Sequence, residues 1–168
     1  MTAVSMPEPE WQALLKSVSL KSPRELARAI SYAENEPTMH VHSSASASRV
    51  IGITGSPGVG KSTTVNALIT SLRAEGKTIA VLAVDPSSPI SGGALLGDRI
   101  RLGEHFLDPH VFIRSIATRG HLGGLSATIE SIINIVKLAG FDYIFVETVG
   151  VGQSEVEVMK FVETVVVV

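Results

Sequence analysis

The sequence contains no cysteine, which excludes disulfides and thiolate metal sites and fits a reducing compartment. Charged side chains make up 18% of the 168 residues, below the usual quarter or so. Such a deficit points to strands buried on both faces, as in a parallel sheet. Neither sign of charge dominates. The net charge of −2 offers no basic surface for nucleic acid or an anionic membrane. Aromatic residues are sparse as well, and Trp11 is the one tryptophan. No window approaches the roughly 20 apolar residues of a spanning helix. No basic head followed by an apolar run opens the chain, where Glu8, Glu10 and Trp11 stand instead. These absences predict a soluble, cytoplasmic α/β domain.

What is present is an alternation of short apolar runs with helix-period segments. Residues 1–36 read as helical and polar. Ser22-Pro23-Arg24-Glu25 has a capping serine, proline at the first helical position and glutamate three residues after the serine. Leu26, Ala29, Ile30 and Ala33 follow at helical spacing. A Ser/Ala-rich stretch over 43–48 marks a linker, so that 1–48 form a helical arm and linker and 49–168 the main domain. Strands are expected over 50–54, 79–84, 111–116, 143–146 and 165–168. Val65, Leu68, Ile69 and Leu72 share one helical face; Ile129, Ile132, Ile133 and Val136 share another, closed by Gly140. Ser154 and Glu157 form a capping box for a last helix running through Met159 and Val162. Strand–helix alternation implies a mostly parallel sheet flanked by helices. The chain stops at Val168 inside an apolar run, which reads as a domain incomplete at its C-terminus.

Gly55-Ser56-Pro57-Gly58-Val59-Gly60-Lys61-Ser62 matches the phosphate-binding pattern G-x-x-x-x-G-K-S. The glycines let the backbone curl so that several N–H groups converge on phosphate oxygens. The following helix adds its N-terminal dipole at the same point. Lys61 reaches the β- and γ-phosphates as a point charge, Ser62 ligates Mg²⁺ through its hydroxyl, and Thr63 completes the nucleotide-binding set. Chance would produce the pattern in on the order of one chain per hundred of this length. The apolar run before it and the amphipathic helix after it are the context the motif requires.

Hydrolysis needs further groups at the metal and the attacking water, and these belong at the C-terminal ends of parallel strands. Asp85 follows the 79–84 run and Glu147 follows 143–146, so both are expected on the phosphate-loop edge, as metal ligands. A solvated acid at a strand end is the competing reading for each. Asp98 lies in a segment with three glycines, 91–99, from which a carboxylate would join the metal shell only when triphosphate is bound. Lys61, Asp98 and Glu147 are the candidate catalytic groups; Ser62, Asp85, Asp98 and Glu147 are the candidate metal ligands. Arg114 and Arg119 would either neutralise phosphate or pair with acids. His40 and His42 have metal-compatible spacing but no third ligand nearby, and Trp11 is expected to pack the N-terminal arm.

Taken together, GSPGVGKS (55–62), VDPSSP (84–89), SGGALLGDRIR (91–101), RGHLGG (119–124) and ETVGVGQSE (147–155) resemble the MeaB/ArgK family of P-loop GTPases. The resemblance runs from the N-terminal helices to the last residue. It implies GTP and GDP as ligands with Mg²⁺, Lys61 and Ser62 on phosphate and metal, and Asp85 and Asp98 in the metal shell and first switch. Glu147 stands where most GTPases carry the aspartate of Asp-x-x-Gly. It also implies a role as chaperone of adenosylcobalamin-dependent methylmalonyl-CoA mutase, and a homodimer in the full-length form. Family members are roughly twice this long. The guanine-reading Asn-Lys-x-Asp segment is not found in 1–168, and an unpaired terminal strand would favour association. The older family label of a kinase linked to basic amino-acid transport finds no support in any residue.

Three other classes remain open on the residues alone. A metal-delivery GTPase normally carries Cys or His clusters, and this chain has no cysteine and scattered histidines. A small-molecule P-loop kinase needs an acceptor pocket and an arginine-rich lid, for which Arg114 and Arg119 are the only hint. A nucleotide-binding fragment without turnover is the third.

Overall fold

The computed structural model describes residues 6–36, 41–42, 47–85, 103–117, 125–148 and 153–168. Among these, five strands form one parallel sheet: β1 (Arg49–Thr54), β2 (Ile79–Asp85), β3 (Val111–Ala117), β4 (Tyr143–Thr148) and β5 (Thr164–Val167). Their order is β3-β2-β4-β1-β5, and each boundary falls within two residues of the sequence expectation. The helices are α1 (Glu8–Ser17), α2 (Pro23–Asn35), α3 (Lys61–Ala74), α4 (Leu125–Ala139) and α5 (Gln153–Val158). Short 3-10 turns occur at Gly103–His105 and Met159–Phe161.

The strands are apolar on both faces because each face is covered. In β2, Ile79 and Val81 join Val65 and Ile69 of α3, while Ala80, Leu82 and Val84 join Ile129, Ile132, Ile133 and Val136 of α4. Burying each such Val, Leu or Ile side chain stabilises by about 1.5–3 kcal/mol, so the continuous runs that lower the charge content also supply the core. Trp11 of α1 and Leu26, Ala29 and Ile30 of α2 enter the α4 cluster. The Trp11 and Tyr32 rings lie 4.9 Å apart, so Trp11 does pack the N-terminal helices.

Two helix ends differ from expectation. Ser22 precedes α2 but makes no side-chain cap; its hydroxyl instead accepts a hydrogen bond from Ser19 Oγ at 3.2 Å. The last helix starts at Gln153, so Ser154 lies inside it. It tightens to a 3-10 turn at Met159 and ends before Val162, whose extended backbone (φ −108°, ψ 153°) already leads toward β5.

The sheet order creates the crevice. β1 continues through α3 to β2, whereas its neighbour β4 continues through α5 to β5 on the opposite face. Connections that diverge from adjacent parallel strands leave a cleft beyond their carboxyl ends. Among the described residues, no helix is long and apolar enough to cross a membrane.

Candidate functional site

The loop between β1 and α3 is shaped by glycine. Gly58 (φ +81°) and Gly60 (φ +101°) occupy left-handed backbone, which costs other residues roughly 1–2 kcal/mol. A Cβ at either would meet nothing within 4 Å, so the requirement there is conformational. At Gly55 space is limiting too, because a Cβ would run into the Val168 carbonyl oxygen.

Lys61 is 7% exposed, and its Nζ donates to the carbonyl oxygens of Gly55 at 2.8 Å and Ser56 at 3.0 Å. The ammonium is thereby held across the loop. An ammonium carries three donors, and a buried cation matched only by neutral carbonyls favours an anion beside it.

Glu147 arrives from β4, paired in register with Ile53 of β1 and Ala83 of β2. The alternation of β4 turns it to the α3 side, and Ser62 Oγ donates to its Oε1 at 2.7 Å. Thr148, on the other face and buried, donates to Ile53 O at 3.5 Å. These groups line a cleft of about 450 Å³. The loop contributes Pro57, Gly58 and Gly60; α3 contributes Lys61, Ser62 and Thr63; Ala83 and Val84 form the β2 wall, and Glu147 and Thr148 close it. Ala83 is small enough to leave the wall open; no sequence pattern marked it, and Thr148 stood out only as part of the block ETVGVGQSE.

Of the other candidates, Asp85 is the last residue of β2, at the cleft edge of the sheet; its side chain lies outside what is described. Asp98, Arg119 and His40 lie outside the described residues. Arg114 points to the opposite face, where its Nη2 donates to Ser31 Oγ at 2.7 Å and Glu34 Oε2 at 2.8 Å on α2, so it pairs with an acid and stands away from the cleft. His42 is exposed. Among the described residues no three His, Asp or Glu side chains are grouped to hold a metal ion. The Ser62 hydroxyl and Glu147 carboxylate are hard oxygen donors of the kind Mg²⁺ takes when phosphates and water complete its shell.

A parallel sheet, a glycine-shaped loop opening a helix, and a buried lysine with a serine–carboxylate pair at its mouth define an α/β P-loop nucleotide-binding protein. Residues 26–168 match the family model described as methylmalonyl-CoA mutase-associated GTPase MeaB, and the chain belongs to this family. A Pyrococcus horikoshii protein described as a GTPase is 50% identical, over 86% of this chain and 48% of that protein. GTPase ArgK of Escherichia coli is 47% identical over 67% of this chain and 34% of that one. The Caenorhabditis elegans methylmalonic aciduria type A homolog, mitochondrial, is 37% identical over 93% of this chain and 44% of that one. The chain thus spans about half the length of the curated relatives it matches. Among solved structures, a LAO/AO transport system kinase superposes with a TM-score of 0.60 at 26% identity, over 97% of this chain and 51% of that one.

Proposed function

We propose that this chain binds GTP and GDP with Mg²⁺, that the protein to which it corresponds hydrolyses GTP, and that it serves as chaperone and regulator of adenosylcobalamin-dependent methylmalonyl-CoA mutase. The observation that carries the site is the Ser62–Glu147 hydrogen bond at the mouth of a cleft whose floor is Lys61. The guanine base, the mutase and a homodimer rest on family membership and on the relatives' names.

In this reading the N–H groups of 55–60, the α3 N-terminus and the Lys61 ammonium gather the charge of the β- and γ-phosphate oxygens. Ser62 and Glu147 hold the metal side of the cleft, joined by Asp85 and Asp98. A magnesium ion held there would supply neutralisation of the phosphate charge. Glu147 also orients water toward the terminal phosphate, its extra methylene relative to aspartate carrying the carboxylate to the Ser62 hydroxyl. Residues 49–168 are the nucleotide-binding domain and 1–48 its N-terminal extension.

Calorimetric titration of the chain with GTP, GDP and ATP in Mg²⁺ tests this. The expected result is binding of GTP and GDP in preference to ATP. Lys61→Ala should weaken GTP binding by about a hundredfold, as two charge-assisted hydrogen bonds of about 1.5 kcal/mol each would give. Unchanged affinity in Lys61→Ala would remove the site assignment, and equal ATP binding would remove the guanine assignment.

A further inference from the structure

Gly52 lies in the middle of β1, and the side chain it lacks is replaced by another element. A Cβ built there would collide with Met159 Sδ, and it would meet Val162 Cγ2 at 3.0 Å and Met159 Cε at 3.1 Å. Gly52 is not among the glycines with positive φ, so space, not backbone conformation, calls for glycine here.

The position links two parts of the site. Gly52 pairs with Val146 on one side and Val165 on the other, and the next pair along is Ile53 with Glu147. In sequence, the chain that leaves Glu147 enters α5 at Gln153 and reaches Met159 as the helix tightens to a 3-10 turn. Glu163 N then donates to Val50 O at 2.9 Å. The same stretch is therefore anchored twice beside β1, at Ser62 through Glu147 and at Gly52 through Met159.

We propose that Gly52 and Met159 form a seat that sets the height of α5 over the strand feeding the phosphate loop, which makes Met159 a positioning residue for the terminal phosphate. The inference rests on the nucleotide reading above and adds a residue pair outside the cleft. The β-phosphate, common to GTP and GDP, is held by the loop N–H groups and Lys61 wherever α5 stands. The terminal phosphate lies on the Glu147 side, so raising α5 by the width of a methyl group acts on triphosphate more than on diphosphate.

Calorimetry in Mg²⁺ with a non-hydrolysable GTP analogue and with GDP tests the seat, with cooperative unfolding followed by circular dichroism for every variant. Gly52→Ala overpacks the contact, a change of about 1–3 kcal/mol in a core. It is expected to lower analogue affinity about tenfold, equivalent to about 1.4 kcal/mol, and GDP affinity less than about threefold. Met159→Ala, which inserts nothing and carries the test should Gly52→Ala not fold, shifts the ratio in the same direction. In Gly52→Ala/Met159→Ala the new methyl takes the room left by the thioether, and the ratio returns to within about threefold of the starting value. An unaltered ratio in both single variants, or a double variant no better than Gly52→Ala, overturns the seat while leaving the nucleotide reading intact. A parent chain that binds neither nucleotide overturns both.

Discussion

Glu147 combines two properties that can be separated by one atom. Its carboxylate accepts the Ser62 hydroxyl at 2.7 Å, and it brings a negative charge to the same end of α3 as Lys61. Glutamine at 147 keeps an acceptor of equal reach and removes the charge. Lys61 already has two carbonyl partners, so it does not depend on Glu147 for satisfaction, and phosphate contact should survive. Metal affinity should not, because Mg²⁺ is held by carboxylate charge and hard oxygen together. In Glu147→Gln the Mg²⁺ concentration that half-saturates GTP binding is therefore expected to rise about tenfold or more, near 1.4 kcal/mol, while metal-free nucleotide affinity stays level. A fluorescent-nucleotide titration at stepped Mg²⁺ reads both, and an unshifted Mg²⁺ midpoint would show that Glu147 does not serve the ion.

At the scale of elements, α2 is fastened to the sheet by more than its apolar stripe. Arg114 on β3 reaches Glu34 with 24% and 13% of the two side chains exposed. Removing one partner of a fully buried pair costs about 3–5 kcal/mol, and partial solvent access reduces that to about 1–3. Glu34→Gln and Arg114→Met should each lower the unfolding free energy read from a urea titration by that amount. An Arg114→Met/Glu34→Leu pair, apolar on both sides, should recover most of it, as the cycle of single and double variants would reveal. Neutral single variants would mean that the apolar stripe alone holds α2. The strands and main helices were legible beforehand because their signals are local: β2 is one unbroken apolar run, and α3 and α4 show period-3.6 faces. The Arg114–Glu34 pair spans 80 residues of sequence, and nothing near either residue announces the other. Ser22 carried a cap pattern, yet its hydroxyl found Ser19 instead, a choice between neighbours that spacing alone does not decide.

For the whole molecule, the phosphate-loop edge was readable because its chemistry is written in consecutive residues, 55–62, and in an acid placed where a strand ends. The Gly52–Met159 contact was not, because a glycine in a strand names no partner. The opposite edge of the sheet is stitched by two carboxylates that sequence left unremarked, and they set how the fold responds to acid. Asp142, just before β4, accepts the Thr78 backbone N–H at 2.7 Å and its hydroxyl at 2.8 Å; these bonds hold its carboxyl below the ordinary value of 3.8. Asp108, in the turn before β3, is lowered first by its hydrogen bond from Arg73 on α3, at 2.7 Å. In both cases the unfolded chain takes up a proton more readily than the folded one. Their stabilisation is therefore complete above the unfolded value and is lost as pH falls through 3.8 toward the lower folded values. Urea unfolding measured from about pH 6 down to about pH 2.5 should show the midpoint level at first and then falling below about pH 4. Asp142→Asn and Asp108→Asn should each start lower at neutral pH and fall less on acidification, because the titrating group is gone. A variant that retained the parent's full acid-side slope would show that its carboxylate does not carry the linkage.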